Sequence, residues 1–314
     1  MDKMNKLLYY LTSLLLSTSL LAAATLDSWP ADAVQAAPQE PAVQTLQVQP
    51  AIQRDLSAPS LQNAVDRIIR ELASQQGFEQ WKRGAWTTYP LGPGTHGWIV
   101  MITVDGQEAG YLVVQASGQD TYRLIEYGKG PYPLFSMQTL YRSLVRLDII
   151  EYPYHLERIY YNPLEALWKV KAPQADRVWY IDAKSGEELP LTNDSQLPAA
   201  DSGLLVKPLP VTDSDALNTI IAAGQTEPSE AYERLPWVKN KPETLVRFEL
   251  LQKWIDQGRK PIFAAELYGG RVHVPLPVTG YQAWSGGESY VGVRQDDDRY
   301  LPLHTINPLG GFYP

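Results

Sequence analysis

The 314-residue chain contains no cysteine and only four histidines. The first absence excludes disulfides, thiolate metal ligands and a cysteine nucleophile, and the second argues against a multi-histidine metal site. Basic residues are also too few for a nucleic-acid protein, because Lys plus Arg number 27 against 35 Asp plus Glu, a formal net charge of −8. Proteins that bind nucleic acids rely on clustered Lys and Arg, so we predict no nucleic-acid partner.

Long apolar runs are confined to the first 36 residues. Lys3 and Lys6 precede an uncharged stretch from Leu7 to Leu26, which Asp27, Trp29 and Pro30 end. Small residues then stand at the positions that a signal peptidase reads, before cleavage at Ala36 or, as the second choice, at Ala33. This order is typical of a secretory signal peptide, so we predict residues 1–36 as a signal, with cleavage after Ala36 and a secreted or cell-envelope location. The alternative is an uncleaved anchor, since the run could just span a bilayer. After cleavage no membrane span is predicted.

Composition divides the remaining chain into segments. Residues 37–59 and 190–212 are proline-rich and are predicted as linkers. Residues 60–189 and 213–314 contain both helix and strand patterns and are predicted as two α+β domains. We expect an antiparallel sheet in each, with helices packed on one face.

The first predicted domain opens with a helix that starts at Ser60. Apolar residues recur there at helical spacing, and Ser136 is predicted to cap a second helix. Asp105-Gly106 predicts a tight turn between two strands. The predicted strands are Ala85–Tyr89, Trp98–Val104, Tyr111–Gln115, Tyr122–Tyr127, Arg158–Tyr161, Ala166–Val170 and Val178–Asp182.

The second predicted domain has helices first and strands after. One short helix is predicted from Asp213 to Ala223, and a longer one from Pro242 to Gly258. Glu227–Pro236 is predicted to be irregular. The predicted strands are Ile262–Leu267, Val272–Val278, Tyr290–Arg294 and Tyr300–Leu303.

Two polar or glycine-rich motifs are interpreted as loops. Gly92–Gly97 matches G-x-G-x-x-G, but a dinucleotide site needs a helix after that loop, and here a strand pattern follows. Asp296–Asp298 places three carboxylates on adjacent residues, whereas calcium loops usually place theirs at alternate positions. We predict a solvated turn there.

Common hydrolase motifs are absent. The chain has no G-x-S-x-G, S-x-x-K or H-E-x-x-H pattern, and Trp284–Gly287 is predicted as a hairpin connection. The histidines at 96, 155, 273 and 304 are far apart in sequence. We therefore predict no catalytic residue, no cofactor and no metal site, although a pair of carboxylates would leave no spacing signal.

Tyr and Trp are unusually common, at 19 and 9 residues against 5 Phe. Their rings combine apolar faces with polar tips, which suits contact with peptides, sugars or a partner protein. Strands also favour aromatic residues, so a role in the core is the competing interpretation. The residues that we predict as a possible binding surface are Trp98, Tyr111, Tyr127, Trp179, Trp254, His273, Tyr281 and Trp284.

Short segments resemble known families. Arg177–Leu189, an apolar strand followed by Asp-Ala-Lys-Ser-Gly-Glu, resembles the closing hairpin of PepSY-type domains. Gly110–Val114 with Leu124–Gly128 resembles the prodomain hairpin of streptopain-like peptidases. The PepSY resemblance implies a secreted protein or a propeptide with a role in restraining a peptidase.

A third resemblance concerns the second domain. Gly258–Phe263, then His273 and Val278–Tyr281, is similar to the second half of papain-like C39 peptidases. Only His273 could match their catalytic histidine, and the nucleophile is missing because the chain has no cysteine. This resemblance implies an inactive peptidase domain that holds a peptide. As a whole the chain resembles exported proteins of the bacilli.

Three functions remain open at this point. The first is a non-enzymatic exported protein that binds an extended peptide, a protein partner or a cell-wall polymer through sheet edges and Tyr or Trp faces. The second is a hydrolase that uses His273 or His304 with Ser285 or a carboxylate, which requires a histidine within about 3 Å of its partner inside a cleft. The third is a structural envelope or spore-coat component.

Overall fold

A computed structural model describes residues 59–92, 96–118, 121–198 and 219–314. The predicted signal peptide lies outside the described residues, and so does the first linker up to residue 58. Most of the second linker and the predicted start of the second domain at Asp213 also lie outside them.

The described residues form an α+β structure with antiparallel strands, as predicted. The strands are β1 (Ala85–Pro90), β2 (Gly97–Val104), β3 (Gln107–Gly118), β4 (Thr121–Lys129), β5 (His155–Asn162), β6 (Glu165–Ala172), β7 (Arg177–Asp182), β8 (Ile220–Gln225), β9 (Ile262–Leu267), β10 (Val272–Trp284), β11 (Ser289–Gln295), β12 (Asp297–Pro302) and β13 (Gly310–Tyr313). The α-helices are α1 (Pro59–Leu72), α2 (Met137–Arg146), α3 (Ala231–Arg234), α4 (Pro236–Lys239), α5 (Phe248–Asp256) and α6 (Leu303–Ile306).

Ten strands belong to one large sheet, in the order β1-β2-β3-β4-β12-β11-β10-β9-β13, with β8 paired to β10 beside this path. Strand β10 is long enough to pair with β9 through its first half and with β8 through its second half. The other three strands form a separate sheet in the order β5-β6-β7.

Local sequence signals set several of these elements. Asp105 and Gly106 both have positive φ, 51° and 79°, which is the geometry of a type I′ turn and fits the twist of the β2–β3 hairpin. Ser136 caps α2, and its hydroxyl accepts a hydrogen bond from the Thr139 amide at 3.3 Å. Both features are as predicted.

Strands β2 and β3 are buried on both faces. Val100 and Leu112 share a hydrophobic core with Val65 of α1. Their neighbours Ile99 and Val113 point to the opposite face, where the core also contains residues of α2 and of the small sheet. Because successive side chains of a strand alternate between faces, these nearly continuous apolar strands require cover on both sides.

The two predicted domains share a sheet and a core. Tyr127 of β4 is paired with Tyr300 of β12, which joins strands from both predicted domains. Leu167 and Tyr180 of the small sheet lie in the same hydrophobic core as Phe263 of β9. The division of the chain into two domains stays a prediction. Any such division has to allow for one sheet and one hydrophobic core that contain residues of both predicted domains.

The helix predicted from Asp213 to Ala223 is wrong in its described part. Ile220–Gln225 is strand β8, paired with the second half of β10, and its residues alternate in exposure. A strand gains backbone hydrogen bonds from the edge of β10, and two adjacent isoleucines favour the extended form.

The helix predicted from Pro242 begins only at Phe248. Glu243 instead forms a β-bridge with Phe312, with its amide and carbonyl at 2.8 and 2.9 Å from the partner atoms, and Leu245 has a positive φ of 51°. Both features are incompatible with a helix. The segment predicted as irregular contains the short helix α3, and α4 follows it.

Candidate functional site

The predicted aromatic surface lies mostly inside the protein. Six of its eight residues are buried core side chains: Tyr111, Tyr127, Trp179, Trp254, Tyr281 and Trp284. Trp98 is half-buried against Tyr122, and His273 is exposed. A surface for a partner would therefore have to use other aromatic residues.

Histidines 96, 155 and 273 are exposed, and only His304 lies beside candidate catalytic partners. Its Nε2 is 3.2 Å from the Thr305 hydroxyl, and its Nδ1 is 3.8 Å from Glu288 Oε2. Burial lowers the pKa of the His304 imidazole, which favours the neutral form that a general base needs. Glu288 in turn accepts a hydrogen bond from Arg123 at 2.5 Å.

This histidine meets only part of the requirement for a hydrolase. His304 is 39% exposed, but Thr305, its immediate neighbour in sequence, is only 6% exposed. A nucleophile must be reached by the substrate, and this hydroxyl is covered. Ser285, the predicted alternative, lies in the exposed turn between β10 and β11, where Gly287 has a φ of 86°.

A buried ion pair, Glu126 with Arg299, joins the two halves of the chain at 2.8 Å. Tyr111 and Tyr160 donate to the two Glu126 oxygens at 2.6 and 2.9 Å, and burial raises the pKa of both hydroxyls well above the ordinary value. Arg299 also donates to the Pro163 carbonyl at 2.6 Å. We call these groups the Glu126–Arg299 network, and its satisfied bonds indicate a structural role.

The aspartates of the β11–β12 turn have separate partners. Asp297 is 3.8 Å from Lys184 and also accepts a hydrogen bond from the Tyr132 amide at 3.2 Å. Asp298 accepts a hydrogen bond from Arg294 at 2.7 Å. The carboxylates splay apart, as predicted. Asp297 and Asp298 are ion-paired, however, whereas the prediction was a turn solvated by water.

Lys184 is almost fully buried at the wall of a cavity of about 420 Å³. Its ammonium donates to the Tyr132 carbonyl at 2.6 Å, and burial, with a smaller effect of Arg299, lowers its pKa to about 8. Tyr268 lines the same cavity, and its hydroxyl has no hydrogen-bond partner among the described residues. We call this space the polar cavity.

Exposed apolar side chains concentrate in residues 232–250. Tyr232, Val238 and Leu245 are each more than 70% exposed, and Leu235 and Leu250 are exposed to a smaller degree. Helices α3 and α4 of this segment have only four residues each. Large apolar residues left in solvent are a cost to a soluble protein unless they contact a partner.

Of these residues, Tyr232 lines an open groove of about 900 Å³. We call it the aromatic groove, and its tyrosine, tryptophan and proline lining residues are Tyr232, Trp237, Pro242, Pro275, Pro308 and Tyr313. Gly311 keeps the backbone of β13 close to Pro242, because a Cβ at that position would lie 2.3 Å from the proline Cβ.

The aromatic groove and the polar cavity adjoin. Both are lined by Tyr232 and by three consecutive residues of β10, His273, Val274 and Pro275. A ligand that lies in the groove can therefore reach the polar cavity across the first half of β10.

The predictions about metal ligands and the glycine motif can be compared with the structure directly. Among the described residues no three His, Asp or Glu side chains converge as metal ligands would. The Gly92–Gly97 segment, of which residues 93–95 lie outside the described residues, leads into β2 rather than a helix, as predicted. No helix in the described ranges has the length and apolar character needed to cross a membrane.

Comparison with known proteins gives no relative. The chain matches no protein-family model, and it has no match among curated proteins or solved structures. The resemblances described above thus stay predictions, and function has to be argued from the chain itself.

Sequence reasoning missed the residues of the aromatic groove. Tyr232 and Trp237 lie in a segment without helical or strand periodicity, and Tyr313 lies in β13, which was not predicted. One signal was available: a segment without periodicity that still carries Tyr, Trp, Leu and Val is unusual for a solvent-exposed loop.

Proposed function

We propose that the protein is a non-enzymatic binding protein for an extended peptide segment of a partner. The observation that carries the proposal is the aromatic groove, which combines about 900 Å³ of open space with exposed Tyr232 and half-buried Trp237. An extended peptide is also the ligand that the resemblance to C39 peptidases implies.

The shape and chemistry of the groove favour a proline-containing peptide. Grooves lined by aromatic rings bind the polyproline II conformation, because the ligand is already extended and loses little entropy on binding. Trp237 and Tyr232 stand nearly perpendicular with ring centroids 6.2 Å apart. Prolines of a ligand can pack against such rings, and Trp and Tyr contribute most strongly to binding energy at interfaces.

Peptide binding can be tested directly. An array of dodecapeptides, each with two prolines and two apolar residues, is probed with the protein, and the tightest peptide is labelled with fluorescein and titrated by anisotropy. Trp237→Ala is expected to weaken binding about tenfold or more, or about 1.4 kcal/mol. The control is Tyr141→Ala, which removes an exposed aromatic side chain from α2, outside the groove lining.

Three results would contradict the proposal. One is that no array peptide binds, and another is that Trp237→Ala binds as well as the wild type. The third is turnover of peptides or wall fragments that His304→Ala abolishes, which would favour the hydrolase. If soluble wall glycans bind at Trp237 and peptides do not, the ligand is a cell-wall polymer instead.

A further inference from the structure

Resting on the proposed function, we infer that the partner peptide is basic: its Lys or Arg side chain enters the polar cavity while its prolines lie in the aromatic groove. Two observations carry this inference: the exposed carboxylates around the two adjoining spaces, and the buried Tyr268 hydroxyl in the wall of the polar cavity, which has no partner among the described residues.

Four exposed carboxylates line the two spaces without an ion pair among the described residues. Glu187, Glu230 and Asp296 line the polar cavity, and Glu266 lines the aromatic groove. All four side chains are exposed, so hydration stabilises their charges in the absence of a ligand. A cationic ligand could pair with them without displacing any existing cation.

The cations at the same walls already have partners. Lys184 is paired with Asp297 at 3.8 Å, Arg294 with Asp298 at 2.7 Å and Arg299 with Glu126 at 2.8 Å. The charge that remains for a ligand is therefore negative. An acidic peptide would meet like charge along the rim of both spaces.

Two of the acidic residues lie next to residues that line both spaces. Glu266 is directly opposite His273 in the β9–β10 register, and His273 lines both spaces. Glu230 lies two residues before Tyr232, which also lines both. The Glu266 carboxylate is close enough to Tyr313 to add to the effect of burial in raising the pKa of that hydroxyl.

The polar cavity also has an acceptor deeper in its wall. The Tyr268 hydroxyl lacks a partner among the described residues, and its residue is 2% exposed. A basic side chain in this cavity would have the carboxylates of Glu230 and Asp296 for its charge and the Tyr268 phenol oxygen for one N–H. The ring of Tyr232, which lines both spaces, favours a cation as well, because its face is electron-rich.

The test compares three labelled peptides that share length and prolines and differ at two positions, which are both Arg, both Gln or both Glu. Anisotropy titrations at low salt are expected to show the Arg peptide at least about tenfold tighter than the Glu peptide, with Gln between them. Raising the ionic strength should weaken the Arg peptide most.

Charge removal identifies the residues responsible. Glu230→Gln with Glu266→Gln is expected to reduce the preference for Arg over Glu to less than about threefold while the Gln peptide binds as before. The control, Glu233→Gln with Glu249→Gln, removes the same net charge from two exposed glutamates that line neither space, and it should keep the preference. Thermal melts confirm that all variants fold.

The outcomes separate the two proposals. Equal affinity of the three peptides, or a preference that the control pair abolishes equally, overturns the inference and leaves peptide binding intact. Binding of none of the three peptides contradicts the proposed function itself. Tighter binding of the Glu peptide overturns the inference and points to an acidic partner.

Discussion

The Glu126–Arg299 network and the aromatic groove are opposites in burial: one buries charged side chains, and the other exposes an apolar one. The network buries a full pair of charges, and each charge has several partners within 3 Å. The groove exposes the large side chain of Tyr232, most of whose surface is in contact with solvent. Charges are normally exposed and apolar side chains buried, so both regions depart from the average pattern.

The difference shows which region holds the fold and which remains available. A buried charge is tolerable only when its hydrogen bonds are complete, so the network fixes β3, β4 and β12 in one arrangement. The groove has unsatisfied apolar surface, so a ligand could still stabilise it. Substitutions should therefore affect stability at the network and binding at the groove.

The largest effect is expected at the network. Arg299→Met should lower the free energy of unfolding by about 3–5 kcal/mol, because it leaves Glu126 charged, buried and without its cation. Guanidinium denaturation measures the change. Arg294→Met is the control, since Arg294 is exposed in its pair with Asp298 and should lose less than about 1 kcal/mol. Equal losses in the two variants would contradict the structural role of the network.

A second test concerns Lys184, whose charge is buried beside the polar cavity. Its pKa is about 8 in the folded protein and near 10.5 in the unfolded chain. Between these values the unfolded state binds more protons, so stability rises with pH there. From pH 8 to 9.5 the wild type should gain about 2 kcal/mol relative to Lys184→Met, in which no proton is taken up. If the stability of the two proteins changes with pH in the same way, the pKa of Lys184 is not lowered in the folded protein.

The smallest effect on stability is expected in the groove. Tyr232→Ser removes a ring that is 72% exposed and should change the free energy of unfolding by less than about 0.5 kcal/mol, although it weakens peptide binding. Urea denaturation and the anisotropy titration measure the two quantities on the same preparation. A large loss of stability would mean that the ring supports the fold and that the contrast with the network is wrong.

Local patterns predicted much of the fold. The bounds of Ile262–Leu267 are the same in sequence prediction and structure, and the Ser136 cap and the Asp105-Gly106 turn are in place. Such features depend on residues close together in the chain. The helix predicted from Pro242 failed because Glu243 pairs with Phe312, a partner that lies far along the sequence.

The candidate site was harder to predict from the sequence, because its residues also lie far apart in the chain. Glu126 and Arg299 are 173 residues apart, and no spacing indicates that they meet. The residues predicted as an aromatic surface, such as Tyr127 and Trp254, lie in strong strand and helix patterns. Such patterns arise because one face of the element is buried, so these residues belong to the core. Tyr232 and Trp237 carry no periodic pattern because they pack on no continuous core.

The prolines of β10 determine how its open edge can be used. The Val278 amide donates to the Pro261 carbonyl at 2.9 Å, and amides alternate along a strand, so positions 275 and 277 face away from β9. Strand β11 pairs with β10 only from Val278 onward. Pro275 and Pro277 thus remove the N–H donors at two successive outward positions of that edge, which guards the sheet against uncontrolled strand addition and fibre growth.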